Sequence, residues 1–233
     1  MILSCASINS IILSKILFGH GGKDPGACGD GIQEKDIVLS VGKEIKKILS
    51  EYECSLKFTR ESDIYLSLTE RVNISNNFGA DIFISIHVNS STNISARGIE
   101  TFCYKKSTNN NVANTIHNSL LENKKLYYSD RGVKEGNFTV IAKTLAKACL
   151  IELAFISNSD DCKLLKSYIK EYANQIAKGI IKHQNLKKKV NNERILYQVN
   201  TGAYANRTNA ENQMRQLEKD GYKPYITIIK DTI

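Results

Sequence analysis

Short apolar runs rich in β-branched residues alternate along this chain with longer segments whose apolar residues recur at helical spacing, and that alternation limits the fold more than any other feature. The runs cover 11–18 ("IILSKILF"), 55–60 ("SLKFTR"), 81–88 ("DIFISIHV"), 98–104 ("GIETFCY"), 138–142 ("FTVIA") and 149–155 ("CLIELAF"), and each predicts a strand. Between the first two, Ile37, Val38, Val41, Ile45, Ile48 and Leu49 fall on one face of a helix. Segments 64–78, 109–123 and 160–183 also predict helices. Strands and helices in alternation imply an α/β fold, a mostly parallel twisted sheet flanked by helices on both faces, with its site at the carboxyl ends of the strands.

The 233 residues hold more than one core needs, and the organisation follows composition. Residues 1–184 form the expected main domain, and "NLKKKVNNE" (185–193), polar and without apolar period, is a linker. Residues 194–233 predict strand, turn, helix and strand, a small βαβ-like unit whose helix starts at "NRTNAE" and buries Ala210, Met214 and Leu217. About forty residues bury too little surface to be stable alone. The net charge is +8, and nine of the 32 basic but only five of the 24 acidic residues lie after residue 184. Basic residues elsewhere are scattered with no recognised binding motif, so nucleic acid is not an expected partner. No run approaches the ~20 apolar residues of a membrane span, and a soluble protein is expected. "MILSCASINSIILSKILF" lacks a basic leading region and Lys15 interrupts it, so it reads as a first core strand, with no convincing signal peptide. The scattered cysteines predict free thiols, Cys149 in the core among them.

Four residues carry chemistry. His87 closes "DIFISIHV" on the face opposite Ile82, Ile84, Ile86 and Val88, aimed at the rim where sites form. Taken singly, a histidine there is more often a satisfied structural residue than a ligand. His20 also follows a strand, within "GHGG", whose glycines let a backbone approach a ligand. Glu34 heads the helix "EKDIVL", so its carboxylate can point back toward the strand ends; by itself it is as ordinary as any surface glutamate. Glu152 lies inside the apolar run "LIELAF", where an uncompensated carboxylate costs several kcal/mol, about as much as folding can tolerate at one site. Two imidazoles, a carboxylate and a second, free carboxylate match a catalytic zinc site with an open position and a general base.

The blocks "GHGGKDPGACGDGIQEKD", "FTRESDIYLSLTERVNISNNFGADIFISIHVNSS", "GIETFCY", "DRGVKEGNFTVI" and "LIELAFISNSDDCKLL" occur in an order and at spacings that are strongly specific together. Over roughly residues 14–184 the chain resembles the zinc-dependent N-acetylmuramoyl-L-alanine amidases of the Amidase_3 type. The resemblance implies that His20, Glu34 and His87 bind Zn2+, that Glu152 is the catalytic glutamate, and that the substrate is peptidoglycan, cut between N-acetylmuramic acid and L-alanine. It implies action at the cell wall, as an autolysin, sporulation enzyme or phage endolysin. Asn89 is a substrate-binding candidate that could equally tie down its loop. Arg60 and Arg71 match arginines of the family and are expected to be structural; Asp130 and Arg131 are expected to pair with each other, and His117 and His183 to sit on solvated helix faces. The chain departs from the family pattern at Leu17 and Phe18, where Asp-Pro is usual, at Lys147 for proline and at Ala154 for glycine. The segment "YQVNTGAYANRTNAENQMRQLEKDGYKPYI" resembles the first part of a SPOR domain, which implies binding to denuded glycan, with the basic charge favouring anionic wall polymers. The rival expectations are a non-catalytic peptidoglycan-binding protein and a zinc peptidase cutting another wall bond.

Overall fold

Apolar residues at every second position give a strand two usable faces, and here both are covered. The structure, a computed structural model, describes residues 13–190 and 202–228, which belong to two units, Met1–Val190 and Asn191–Ile233. In the first unit, strand β1 (Leu13–Phe18) leads through the two-residue strands β2 (Cys28–Gly29) and β3 (Ile32–Gln33), paired antiparallel, into helix α1 (Glu34–Leu49). Strand β4 (Ser55–Phe58), helix α2 (Leu68–Phe78), strand β5 (Ile82–Asn89), strand β6 (Ile99–Cys103) and helix α3 (Lys106–Leu121) follow. Then come strand β7 (Asp130–Glu135), the short helix α4 (Thr139–Ala142), strand β8 (Lys147–Phe155) and helices α5 (Ser159–Ser167) and α6 (Ile169–Gln184). The main sheet has the order β4-β1-β5-β8-β6-β7. Neighbours run parallel except β6 and β8, so the expected mostly parallel α/β sheet is present, with β6 and β7 reversed relative to the rest.

The two faces are covered unequally. Ile82, Ile84, Ile86 and Val88 of β5 enter a large core with Val38, Val41 and Ile45 of α1, Ile116 of α3 and Ile176 and Ile180 of α6. Gly42 lets α1 approach closely there: a Cβ at that position would stand 1.8 Å from the ring of Phe18. On the opposite face Leu17, Phe83, Ala148 and Leu150 form a smaller cluster with Val72 of α2, Val140 and Ile141 of the four-residue α4, and the partly buried Phe102, Tyr104 and Ala146. His87 lies on this thinly covered face, two residues beyond Ser85 and four beyond Phe83.

Several expectations are corrected. Segment 138–142 is not a strand: its centre is α4, and the burial of the adjacent Val140 and Ile141 on one side requires a helical turn, since a strand would send them to opposite faces. The sixth strand is instead β7, "DRGVKE", whose charged residues suit an edge that must not recruit another strand. The helix expected over 160–183 is two, broken at Tyr168. Of the stretch read as linker, Leu186 is buried and the backbone of Lys187 and Lys189 bonds to Glu53 and Glu51. In the second unit, helix α7 (Arg207–Lys219) is capped by Asn206, and Ala210, Met214 and Leu217 are half-buried rather than buried. The expected strand over 221–226 is absent from the described residues, and its expected partner around 194–200 lies outside them.

Lys15 on β1 is fully buried with no hydrogen-bond partner for its Nζ among the described residues, and only the Phe78 ring at 5.9 Å attracts it. Burial, reinforced by Lys57 opposite, pushes its pKa down to about 8. The unfolded lysine holds its proton to about 10.4, so between those limits the unfolded chain binds more protons and stability rises with pH. Lys15→Met should therefore raise the urea stability of the full chain by about 1–3 kcal/mol at pH 7. The advantage should shrink as pH rises from 8 toward 10.

Candidate metal centre

At the end of β1 the chain turns through Gly19 and His20, and this turn is held from below by two buried arginines. Arg71 of α2 donates Nη1 to the Phe18 carbonyl, Nη2 to the His20 carbonyl at 2.8 Å and Nε to Leu66 at 2.9 Å. Arg60 donates Nη2 to the Gly19 carbonyl at 3.0 Å and to Lys35 at 2.8 Å. Both arginines thus play the structural role expected of them. Their grip matters because His20 has φ +56°, a left-handed conformation that a non-glycine residue adopts only when its surroundings enforce it.

Glu34 is the first residue of α1, where the helix dipole favours an anion. Its Oε2 accepts from Ala27 N at 2.9 Å and its Oε1 from Val88 N at 3.0 Å. The same carboxylate lies 3.2 Å from Nε2 of His20 and 2.8 Å from Nδ1 of His87. One ligand atom from each of His20, Glu34 and His87 falls within 4.8 Å of the others. Gly26 makes room for them, with φ +67° and a position at which a Cβ would stand 2.6 Å from Glu34 Oε2. Nδ1 of His20 faces Asp24 Oδ2 at 2.8 Å, which orients the ring and leaves Nε2 toward the centre. Burial pulls the His20 pKa down, but Glu34 and Asp24 outweigh it and raise it overall. Burial likewise pushes Glu34 up, and the two histidines more than reverse this, holding it well below the usual carboxylate range.

Glu152 stands beside this cluster. On β8 it is in register with His87 on one side and Glu100 of β6 on the other, which places all three side chains on the thin face of the sheet. Its Oε2 is enclosed and has no hydrogen-bond partner among the described residues. Burial, then the charges of Glu34 and Glu100, hold its carboxyl well above the usual range. Glu100 is satisfied: its Oε1 accepts from Asn89 at 2.6 Å and its Oε2 from Arg131 at 2.7 Å and from Lys134. Asn89 is committed at both ends of its amide, since its Oδ1 also accepts from Ser90 N at 2.8 Å.

The structure brings His20, Glu34, His87 and Glu152 together, as their residue types suggested. Asp130 and Arg131 do not pair. Asp130 bonds His117 at 2.9 Å and Gly132 N, while Arg131 turns to Glu100. His117 is not on a solvated face but buried between Asp130 and Thr101, pinning α3 to β6 and β7; His183 is half-buried. Sequence reasoning missed Asp24 and Glu100. Glu100 carried the signal that had marked Glu152, a carboxylate inside an apolar run, "GIETF".

Residues 15–182 match the family model Amidase_3, N-acetylmuramoyl-L-alanine amidase. The chain belongs to this family. It is 38% identical to the sporulation-specific N-acetylmuramoyl-L-alanine amidase of Bacillus subtilis (strain 168) over 91% of this chain and 83% of that one. It is 39% identical to the endolysin of Bacillus phage SPP1 over 76% of this chain and 69% of that one. Among solved structures, the catalytic domain of CwlV, an N-acetylmuramoyl-L-alanine amidase from Bacillus (Paenibacillus) polymyxa var. colistinus, superposes with a TM-score of 0.71 at 31% identity, over 76% of this chain and all of that one.

The arginine lattice under His20 gives the amidase a measurable dependence. Arg71→Ala leaves buried carbonyls at residues 18 and 20 without donors and should cost about 3 kcal/mol in urea unfolding. Arg71→Lys should recover only part of it, because an ammonium cannot span three carbonyls as a planar guanidinium does.

Proposed function

We propose that the chain is a zinc-dependent N-acetylmuramoyl-L-alanine amidase that hydrolyses the amide between the lactyl group of N-acetylmuramic acid and L-alanine, with His20, Glu34 and His87 as metal ligands and Glu152 as general base. The observation that carries the reading is the enclosed, unpartnered Oε2 of Glu152 in register with His87, beside a donor set of two imidazoles and one carboxylate. A buried carboxylate oxygen with nothing to accept from is costly unless a cation or a reacting group completes it. The donor set suits zinc, which tetrahedral nitrogen and oxygen ligands bind with one position left open. Held by His20, Glu34 and His87, zinc would supply the polarisation of a carbonyl and the acidification of a water.

The chain's own residues do the rest. Asp24 fixes the His20 ring so that Nε2 faces the centre, and Glu34 is held by Ala27 N and Val88 N in the one orientation that reaches both histidines. Glu152 takes the proton of the attacking water and passes it to the leaving L-alanine nitrogen. Asn89, the weaker substrate-binding candidate, serves here by holding Glu100 beside Glu152. The substrate makes the cell wall the place of action, and the basic C-terminal segment holds the enzyme to anionic wall polymers or denuded glycan. That attachment predicts sedimentation with the wall that weakens as salt is raised.

Release of new amino-terminal L-alanine from purified peptidoglycan tests the reading, comparing zinc-loaded wild type with Glu152→Gln at matched zinc content. The variant should lose about 10²–10⁴-fold in rate. New termini at another residue would identify a wall peptidase instead, and no release with retained wall binding would identify a non-catalytic binder. A separate check concerns the metal alone: Asp24→Asn should weaken zinc affinity about 10–100-fold in a competition titration against a chromophoric chelator. Because His20 must shed a proton to bind metal and its pKa is raised, zinc affinity should also fall as pH drops through the histidine range.

A further inference from the structure

The wall of the cleft beyond Glu152 is built unlike the wall beyond His20. Next to His20 the lining side chains Tyr65, Leu66, Leu68 and Val140 are largely apolar, and Arg71 there is spent on backbone carbonyls. On the far side, β6 and β7 carry Glu100, Arg131 and Lys134 on the same thin face as Glu152. Glu100 is saturated by Asn89, Arg131 and Lys134, but the cations are not saturated by Glu100. Arg131 uses only Nε for that carboxylate, and its guanidinium lies over the Phe155 ring at 4.8 Å. With Nε on Glu100 and the ring of Phe155 under the guanidinium, the two Nη atoms have no hydrogen-bond partner among the described residues, and a fork of that kind suits a carboxylate. The side chains of Arg131 and Lys134 are 34% and 39% exposed, enough to meet a ligand without leaving Glu100.

Other cations near the centre have different work. Arg60 holds Gly19 and Lys35 carbonyls, Lys35 pairs with Asp63 at 2.7 Å, and Lys23 stacks over Tyr65 on the opposite side of His20. Of the two halves of the substrate, the sugar is uncharged near the cut and the stem peptide carries free carboxylates. Resting on the amidase reading above, we propose that Arg131, with Lys134 beside it, is the subsite for a free carboxylate of the stem peptide, so that the peptide leaves the metal centre across β6 and β7 while the sugar lies toward Tyr65. Neighbouring strands are about 4.8 Å apart, which sets β7 about 10 Å from β8. An extended chain covers that in about three residues, so the carboxylate belongs to the second or third stem residue.

The test uses the full-length zinc-loaded enzyme and three disaccharide-tripeptide fragments: one with free carboxylates on the second and third stem residues, one with the second converted to a primary carboxamide, and one with the third so converted. One carboxamide should lower kcat/KM about tenfold, through KM, because a charge-assisted hydrogen bond is lost. The gap should narrow with rising ionic strength. Arg131→Gln should bring the free and amidated fragments to within about twofold of each other, and Lys134→Gln, which spares the stacked guanidinium, should narrow the gap less. Equal kcat/KM for all three fragments on wild type overturns the subsite while the amidase reading stands, and a preference that survives Arg131→Gln assigns it to another cation and overturns it too. Cleavage of none of the three overturns the amidase reading and this inference with it.

Discussion

The carboxylate of Glu34 is the point on which the rest of the site depends. One group at the start of α1 accepts from the loop at Ala27 and from the end of β5 at Val88, and touches both histidines. Without it, the loop after β1, the first helix and the end of β5 would have no common anchor. Burial alone would drive such a group to its neutral form; two imidazoles, two backbone donors and a helix amino terminus reverse that preference. The outcome is an anion whose place and orientation are set by the fold.

The fold makes room for that anchor by covering its sheet unequally. Three long helices seal one face, and among the described residues α2 and the short α4 are the helices that rest on the other. A fully covered face would have buried Glu152 among side chains with no access for a substrate. The thin face keeps a desolvated carboxylate within reach of solvent, and the two arginines beneath His20 supply the rigidity that a missing layer would otherwise have given. Rigidity there comes from hydrogen bonds to carbonyls, which hold backbone where no core packs against it.

Much of this was legible in the residues. The inner strands could be read because apolar β-branched runs have no other use in a short segment, and Glu152 stood out because its burial demanded a reason. The edge strand β7 could not be read: an edge is protected by charge, and charge erases the pattern by which strands are recognised. The segment 138–142 misled for the opposite reason, since "FTVIA" has strand composition while the space left on the thin face admits only one helical turn. His117 was misread because its partners, Thr101 and Asp130, are distant in sequence and become neighbours only when β6 and β7 pair. In the C-terminal unit, "GYKPYI" has the composition of a strand, but composition supplies only one half of a ladder.

The reversal of β6 and β7 explains why so much chemistry gathers at one rim. In a wholly parallel sheet only carboxyl ends would meet there, and polar side chains would have to come from loops. Turning two strands around sets the amino ends of β6 and β7 beside the carboxyl ends of β5 and β8. Glu100, near the start of β6, and His87 are thereby both in register with Glu152, and a shift in the β6–β7 ladder between Ile99 and Thr101 brings Arg131 to Glu100. A constellation carried on strands varies less than one carried on loops, which suits a site whose charged groups must keep fixed distances from one another.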